Sequence, residues 1–458
     1  MMKRTFVILA VAAAMAASCN LNIDSADNVA KEQQAVGFNA YLNRGVTTKA
    51  GMSGELTTVG LQSAAAGFGV FAYYTADEPY TGVAGPSFMY NEKVWWDASA
   101  GTSGAWIYSP IKYWPNEFGA TAASDEVDRL TFFAYAPYVE VTPSNGIVTG
   151  DSANGIVALS RNSVGGDPIV KYIVDMNPAK GVDLCWGVSK NGLTASVDGN
   201  NNHVAAGAPY IDVVKPKQGD KIEFDFRHAL SALNVQIDAA VDATTPGTAV
   251  DTANTRVFVR SVSFEGLAIK GALNLNSTVA AGPLWTDFSG TDVPLEGVLT
   301  VHDGRRDGKE GVLDAEARNE KPLGLNPVLI QSKPYGSADL SAGVTKTAVN
   351  LFNSTTTDAP VFVIPTNEPL KVTIVYDVET KDEKLATLLS DGVTHGSTVE
   401  NAISKSVQIG GSEFTLEAGK KYTIALHIGL TSVKFDASVS AWDASGASAG
   451  ADVPQNAD

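Results

Sequence analysis

Cysteine is nearly absent from this chain: Cys19 and Cys185 are the only two in 458 residues. Disulfides therefore do not hold the fold, and stability has to come from core burial, which a chain of this length supplies. Cys185, within Val182-Asp183-Leu184-Cys185-Trp186, reads as a small buried apolar residue and not as a nucleophile. Histidine is scarce too. His203, His228, His302, His395 and His427 include no pair at i, i+4 and none at zinc spacing from a cysteine. His228 reads as a structural polar residue. Neither a Walker A motif nor an EF-hand loop occurs, and the charged run His302–Glu310 reads as a solvated loop. Gly446-Ala447-Ser448-Ala449-Gly450 has the spacing of a nucleophile elbow, but it lies in a low-complexity tail with no later histidine. No catalytic residue, metal or cofactor is expected. Basic charge is in deficit: 33 Lys and Arg against 50 Asp and Glu leave a net charge of −17. That excludes nucleic acid as a partner, because phosphate backbones are bound by cationic side chains. After the first residues no apolar run is long enough to cross a bilayer.

What the chain does have begins at its N-terminus. Lys3 and Arg4 lead into an apolar run, Phe6 to Ala17, followed by Ser18 and Cys19. Residues 1–18 read as a secretory signal peptide and Cys19 as a lipid-attachment site. Residues 19–35 follow as a polar, flexible tether. The expectation is an exported protein held to a membrane by its own N-terminus.

The body of the chain reads as β almost throughout, short alternating runs separated by Gly, Asn, Asp, Ser and Pro. Val36–Leu42, Lys221–Phe226, Lys371–Tyr376, Tyr422–Ile428 and Val433–Ala441 are the clearest strands. Helical signals are few: a short helix is read at Asp382–Leu389 and a helical turn at Ala229–Leu233. With 43 Gly and 20 Pro, and no regular interleaved helices, the composition fits β-sandwiches. A boundary is read at Lys215-Pro216-Lys217-Gln218-Gly219, dividing an aromatic-rich domain over 36–215 from an aliphatic one over 216–443. Residues 444–458 form a flexible tail.

Aromatic residues crowd three segments: Phe68–Tyr74, Trp106–Pro115 and Leu130–Tyr138. They occur at both parities, so one sandwich face cannot take them all, and some are expected to face outward, cover an edge or lie beneath loops. The segments FGVFAYY (68–74), WIYSPIKYWP (106–115) and LTFFAYAPY (130–138), then DLCWG (183–187), FDFRHALSALNV (224–235) and LEAGKKYTIALHI (416–428), follow the Cys19 lipobox in order. In that order they resemble the Bacteroidales-type fimbrillins, the fimbrillin-like or major fimbrial subunit-like lipoproteins.

The resemblance implies an all-β fold of two tandem transthyretin-like Greek-key β-sandwich domains and no catalysis. It implies a structural and adhesive subunit of a cell-surface fimbria, exported as an outer membrane lipoprotein precursor. Assembly would follow when a surface protease cuts after a basic residue and a neighbouring subunit's strand replaces the first strand. On these residues, Arg44 and Lys49 are the candidate processing sites. Val36, Phe38, Ala40 and Leu42 form the inward face of the removable strand. Val433, Phe435, Ala437 and Val439 form the candidate donor strand. The partners are then other fimbrial subunits, identical or different, the processing protease, the membrane through the lipid, and a host protein or glycan receptor. Stalk, tip and anchor roles all stay open. The alternative reading is a non-polymerising surface lipoprotein that binds glycan or a host ligand through Trp95, Trp96, Trp106, Trp114 and Trp285. The triplets Asp24-Ser25-Ala26, Asp151-Ser152-Ala153 and Asp251-Thr252-Ala253 match a short O-glycosylation pattern.

Overall fold

The computed structural model describes residues 34–42, 56–63, 66–115, 128–149, 155–175, 181–194, 202–217, 219–239, 255–289, 292–297, 299–303, 328–329, 349–350, 360–389, 392–428 and 433–441. The architecture is nearly all β. The first strands are β1 (Phe38–Leu42), β2 (Phe68–Ala76), β3 (Met89–Asp97), β4 (Ala105–Ile107), β5 (Arg129–Ala136), β6 (Ile156–Leu159) and β7 (Ile169–Ile173). They continue with β8 (Cys185–Ser189), β9 (Tyr210–Val214), β10 (Ile222–His228), β11 (Ser231–Ala239), β12 (Thr255–Glu265) and β13 (Leu267–Asn274). One short helix, α1 (Thr58–Leu61), follows β1; Thr57 caps it, its hydroxyl accepting from Gly60 N at 3.0 Å. No helix among the described residues is long and apolar enough to cross a membrane.

Three sheets stack in succession. The first runs β1-β10-β8-β5-β2-β3-β4, with β9 also on β5. The second joins the strands Val433–Ala441 and Lys420–Ile428 to β11, the strand Val361–Pro365, β13, β7 and β6. The third pairs β12 with the strand Lys371–Lys381, which in turn pairs with Gly396–Ser406. Both β9, ahead of Lys215, and β10, after Gly219, lie in the first sheet, whereas β6 and β7 already belong to the second. Among the described residues from Ser231 onward, the strands lie in the second and third sheets, apart from the two-stranded ribbon of Gln408–Ile409 with Ser412–Glu413.

The doubled parity of the aromatics follows from this stacking. Phe68, Val70 and Ala72 of β2 point to one core, and Phe71 and Tyr73 to another. The second core lies between the first two sheets, where Phe133, Tyr135 and Trp186 meet Tyr172, Phe362 and Ile364. The first core is enclosed because the sheet curls and its edges meet. Val36 N donates to Lys112 O at 2.9 Å and Trp114 N to Gln34 O at 2.9 Å, so the segment after β4 pairs with the residues before β1. The aromatics of β2 and β5 are thus core on both faces and do not lie exposed on an outer face. The second sheet splits its parities the same way: Phe362 and Ile364 face the first sheet, while Val361 and Val363 face Phe264, Ile374 and Tyr376 of the third.

Two local expectations are corrected. The helical turn at Ala229–Leu233 is the start of β11, because Ser231–Leu233 pairs with Val361–Val363 on one side and Ala232–Leu233 with Lys421–Tyr422 on the other. Two ladders outweigh a weak helical preference. Asp382–Leu389 forms turns instead of a helix. Leu385 N bonds back to Asp382 O at 3.1 Å and Leu389 N to Thr394 O at 2.7 Å. Leu385 is 40% exposed while Leu389 is buried, so no apolar stripe exists to dock a helix there.

Candidate functional site

β1 alternates buried and half-buried residues along its length, as a strand on one core face should. Phe38 and Val36 are 1% exposed, Leu42 3% and Ala40 6%. Phe38 is the centre of the cluster. Its ring meets Tyr108 at 5.3 Å, Phe132 at 6.1 Å, Phe224 at 6.2 Å and Phe68 at 6.4 Å, all edge-on except the stacked Phe224. The Tyr108 hydroxyl donates to Val36 O at 2.8 Å, and burial pushes that phenol up to about 12.

β1 pairs with β10 in parallel, Phe38 opposite Ile222 through Leu42 opposite Phe226. It ends the sheet order, so among the described residues one long edge has no ladder apart from the contacts of residues 34–36. On its outer face the Asn39 amide and the Tyr41 hydroxyl both donate to Glu223 Oε1, at 3.3 and 3.1 Å. Lys190 Nζ lies 3.1 Å from the Tyr41 ring centroid. Partial burial, then the Glu223 contact, raises the Tyr41 phenol above its ordinary value. At the strand's end the Thr58 hydroxyl, on α1, donates to Leu42 O.

Burying Val36, Phe38 and Leu42 contributes about 1.5–3 kcal/mol each. The total rivals the whole net stability of an ordinary domain, roughly 5–15 kcal/mol. Without β1 the fold holds an apolar trough lined by Phe68, Tyr108, Phe132 and Phe224, beside an unpaired edge of β10. An apolar trough beside an unpaired strand edge is the kind of surface to which a strand adds.

A second cluster lies at the far end of β10. His228 Nδ1 stands 2.7 Å from Asp183 Oδ2 and 3.5 Å from Cys185 Sγ, and Leu56 N donates to the same Asp183 oxygen at 2.9 Å. One ligand atom from each of Asp183, Cys185 and His228 falls within 4.8 Å of the others. The spacing is that of a hydrogen bond: nitrogen and oxygen on one zinc ion stand about 3.3 Å apart, given bonds of about 2.0–2.1 Å. The group is a buried polar lock that fixes the chain at Leu56, just before α1. The sequence alone did not reveal it, because His228 lies 43 residues from Cys185 and only the register of β8 on β10 sets the two opposite each other.

Of the residues singled out in the sequence, Val36, Phe38, Ala40 and Leu42 do converge on one core. Cys19, Arg44, Lys49 and the three glycosylation-like triplets lie outside the described residues. The strand Val433–Ala441 exists and pairs antiparallel with Lys420–Ile428 over nine residues at the margin of the second sheet. Ala437 is buried there and Val439 packs against the core. Trp106 and Trp114 are buried, and Trp95, Trp96 and Trp285 are half-buried, the Trp285 indole donating to Ala229 O at 3.0 Å.

No protein-family model matches the chain. Among curated proteins, "Fimbrium subunit Fim1C" of Phocaeicola vulgatus is 33% identical over 139 residues, 30% of this chain and 31% of that protein. The likeness is to fimbrial subunits. The aligned part spans about a third of the relative's length, 31%. Among solved structures, a fimbrial protein from Bacteroides vulgatus covers 89% of this chain and 99% of its own, with 22% identity and a TM-score of 0.52. That likeness shows a shared fold. A candidate cell adhesion protein from Bacteroides uniformis covers 91% of this chain at 14% identity, with a TM-score of 0.38, too low to argue from. The curated relative and the Bacteroides vulgatus fold neighbour are thus fimbrial proteins of Bacteroidales, the group that the ordered sequence segments resemble.

Proposed function

We propose that this protein is a structural and adhesive subunit of a cell-surface fimbria, exported as a lipoprotein precursor anchored at Cys19 and assembled by protease-triggered strand exchange. The observation that carries the reading is β1 itself. It is a five-residue strand at a sheet margin, whose Phe38, Ala40 and Leu42, with Val36 just before them, are seated in an aromatic trough, and Arg44 and Lys49 follow in sequence. Cutting after either residue severs β1 from the body, while the Asp183 lock on Leu56 and the α1 turn hold the chain from Leu56 onward. A strand from another subunit then fills the trough and completes β10, head to tail, which builds a filament and not a closed ring. The tandem transthyretin-like arrangement belongs to the same reading.

Sequencing the N-terminus of the mature surface form tests it. A start at Gly45 or Ala50 is expected, together with polymer ladders on unboiled gels. Replacing Arg44 and Lys49 together by alanine is expected to leave precursor and monomer only. Ladders that persist in the double variant would remove both sites from consideration.

A further inference from the structure

We propose that the face around Gln34, formed by Ile111, Lys112, Tyr113, Lys217 and Lys221, docks on the anionic lipid surface of the membrane that holds the Cys19 anchor. This rests on the lipoprotein reading above and gives it a contact surface and an orientation. Gln34 lies fifteen residues after Cys19 and enters the fold between two segments. On one side Trp114 N donates to Gln34 O and Val36 N to Lys112 O, both at 2.9 Å, and Ala35 bridges Tyr113. On the other the Gln34 side-chain amide donates to Lys217 O at 3.1 Å. An added Cβ at Gly37 would stand 3.1 Å from Lys221 Cγ, so the Lys221 stem runs along the entering chain. Val36 and Trp114 turn inward, and the alternation leaves Ala35 and Tyr113 outward. Ile111 is 57% exposed and Tyr113 45%. The loop that presents them is pinned, because the Tyr108 hydroxyl, which donates to Val36 O, accepts from Lys112 N at 3.1 Å. Two large apolar side chains are thus held in solvent beside a group of cations.

Charge selects the occupant. The run 215–221 carries Lys215, Lys217 and Lys221 against Asp220 alone, in a chain of net charge −17. Lys217 and Lys221 are exposed, and among the described residues neither they nor Lys112 forms an ion pair. Lysines beside a bilayer are drawn to anionic headgroups, and tyrosine settles at the headgroup level with aliphatic neighbours just below it. The same headgroups repel the acidic remainder of the surface, so one orientation is favoured. A chain of fifteen residues reaches about 20 Å as a coil, so an anchor at Cys19 keeps this face at high local concentration over the bilayer. Leu42 lies eight residues beyond Gln34, up to about 26 Å along an extended strand. Docking at Gln34 therefore leaves the far end of β1, and the candidate cuts beyond it, clear of the lipid.

The test uses the acylated full-length precursor in vesicles of phosphatidylcholine mixed with phosphatidylglycerol. A fluorophore is placed on Ala35→Cys or, in a second preparation, on Val399→Cys, which is exposed on the third sheet; the native Cys185 is buried. Quenching by spin-labelled headgroups is expected at position 35 and not at 399. It should be lost in vesicles of phosphatidylcholine alone. Lys217→Gln with Lys221→Gln should lower the docked-to-free ratio about thirtyfold, with the Tm unchanged because both side chains are exposed. Equal quenching at the two positions, or quenching at 35 that ignores lipid charge and both lysines, overturns the face while the anchor stands. A label at 35 that becomes shielded only as protein density rises, without lipid quenching, assigns the face to a second copy and also overturns it. A mature N-terminal peptide whose Cys19 carries no acyl group, read by mass spectrometry, overturns the anchor and the face together.

Discussion

At the scale of single residues, the close approaches decide what can change. Gly69 lies on β2 where an added Cβ would stand 2.3 Å from the Tyr135 ring and 2.7 Å from Asn91 Oδ1. That oxygen accepts the Tyr135 hydroxyl at 2.8 Å. Gly69→Ala must push the ring out of a buried hydrogen bond, and we expect a loss of about 1–3 kcal/mol, seen as a lower Tm. Asp183 carries a different kind of cost. Asp183→Ala removes the buried carboxylate that Leu56 N and His228 Nδ1 both meet, and about 2 kcal/mol should go in chemical denaturation. A chelator, by contrast, should leave the Tm of the unaltered protein unchanged, since the Asp183–His228 contact has hydrogen-bond spacing and not that of shared metal ligands. A chelator-induced drop would contradict that assignment. Cys185 was legible as buried from its apolar neighbours, and His228 as structural. Their meeting was not, because contact between residues 43 apart depends on strand register, which no local pattern encodes.

At the scale of elements, alternation was the readable signal. β1, β10 and the strands Lys371–Lys381, Lys420–Ile428 and Val433–Ala441 all fall where period-two patterning put them, since each has one face against a core. β2 and β5 resisted that reading because both of their faces are buried, one under a second sheet and one under the curled margin of their own. The α1 latch on Leu42 was invisible: Thr58 looks like any loop threonine until its partner is known. The dependence of the body on β1 can be measured directly. A chain beginning at Gly45 should melt at lower temperature and bind a hydrophobic dye, and addition of a peptide spanning 34–43 should reverse both. An unchanged melt would mean that the trough closes on its own.

At the scale of the whole molecule, the three stacked sheets divide the labour. Ile374 sits wholly inside the core between the second and third sheets. Ile374→Ala should cost about 2–5 kcal/mol and yet leave the affinity of the truncated chain for the 34–43 peptide intact, as that core shares no residue with the trough. Loss of peptide binding in a folded Ile374→Ala protein would show that the layers are coupled. The parallel pairing of β1 has one more consequence, and it concerns time. Asn39 finds its partner Glu223 across 184 residues of chain. No hairpin can bring them together, and closing so long a loop is slow. The first strand to be synthesised is therefore among the last to be ordered. Pulsed hydrogen exchange during refolding should find the β1 amides protected after those of the hairpin-linked β2 and β3. The body would then have to collapse around an empty trough before its own N-terminus arrives. On the strand-exchange reading proposed above, the subunit would in that interval already be open to another subunit's strand, so intramolecular closure would have to win a race that local chain concentration tilts in its favour.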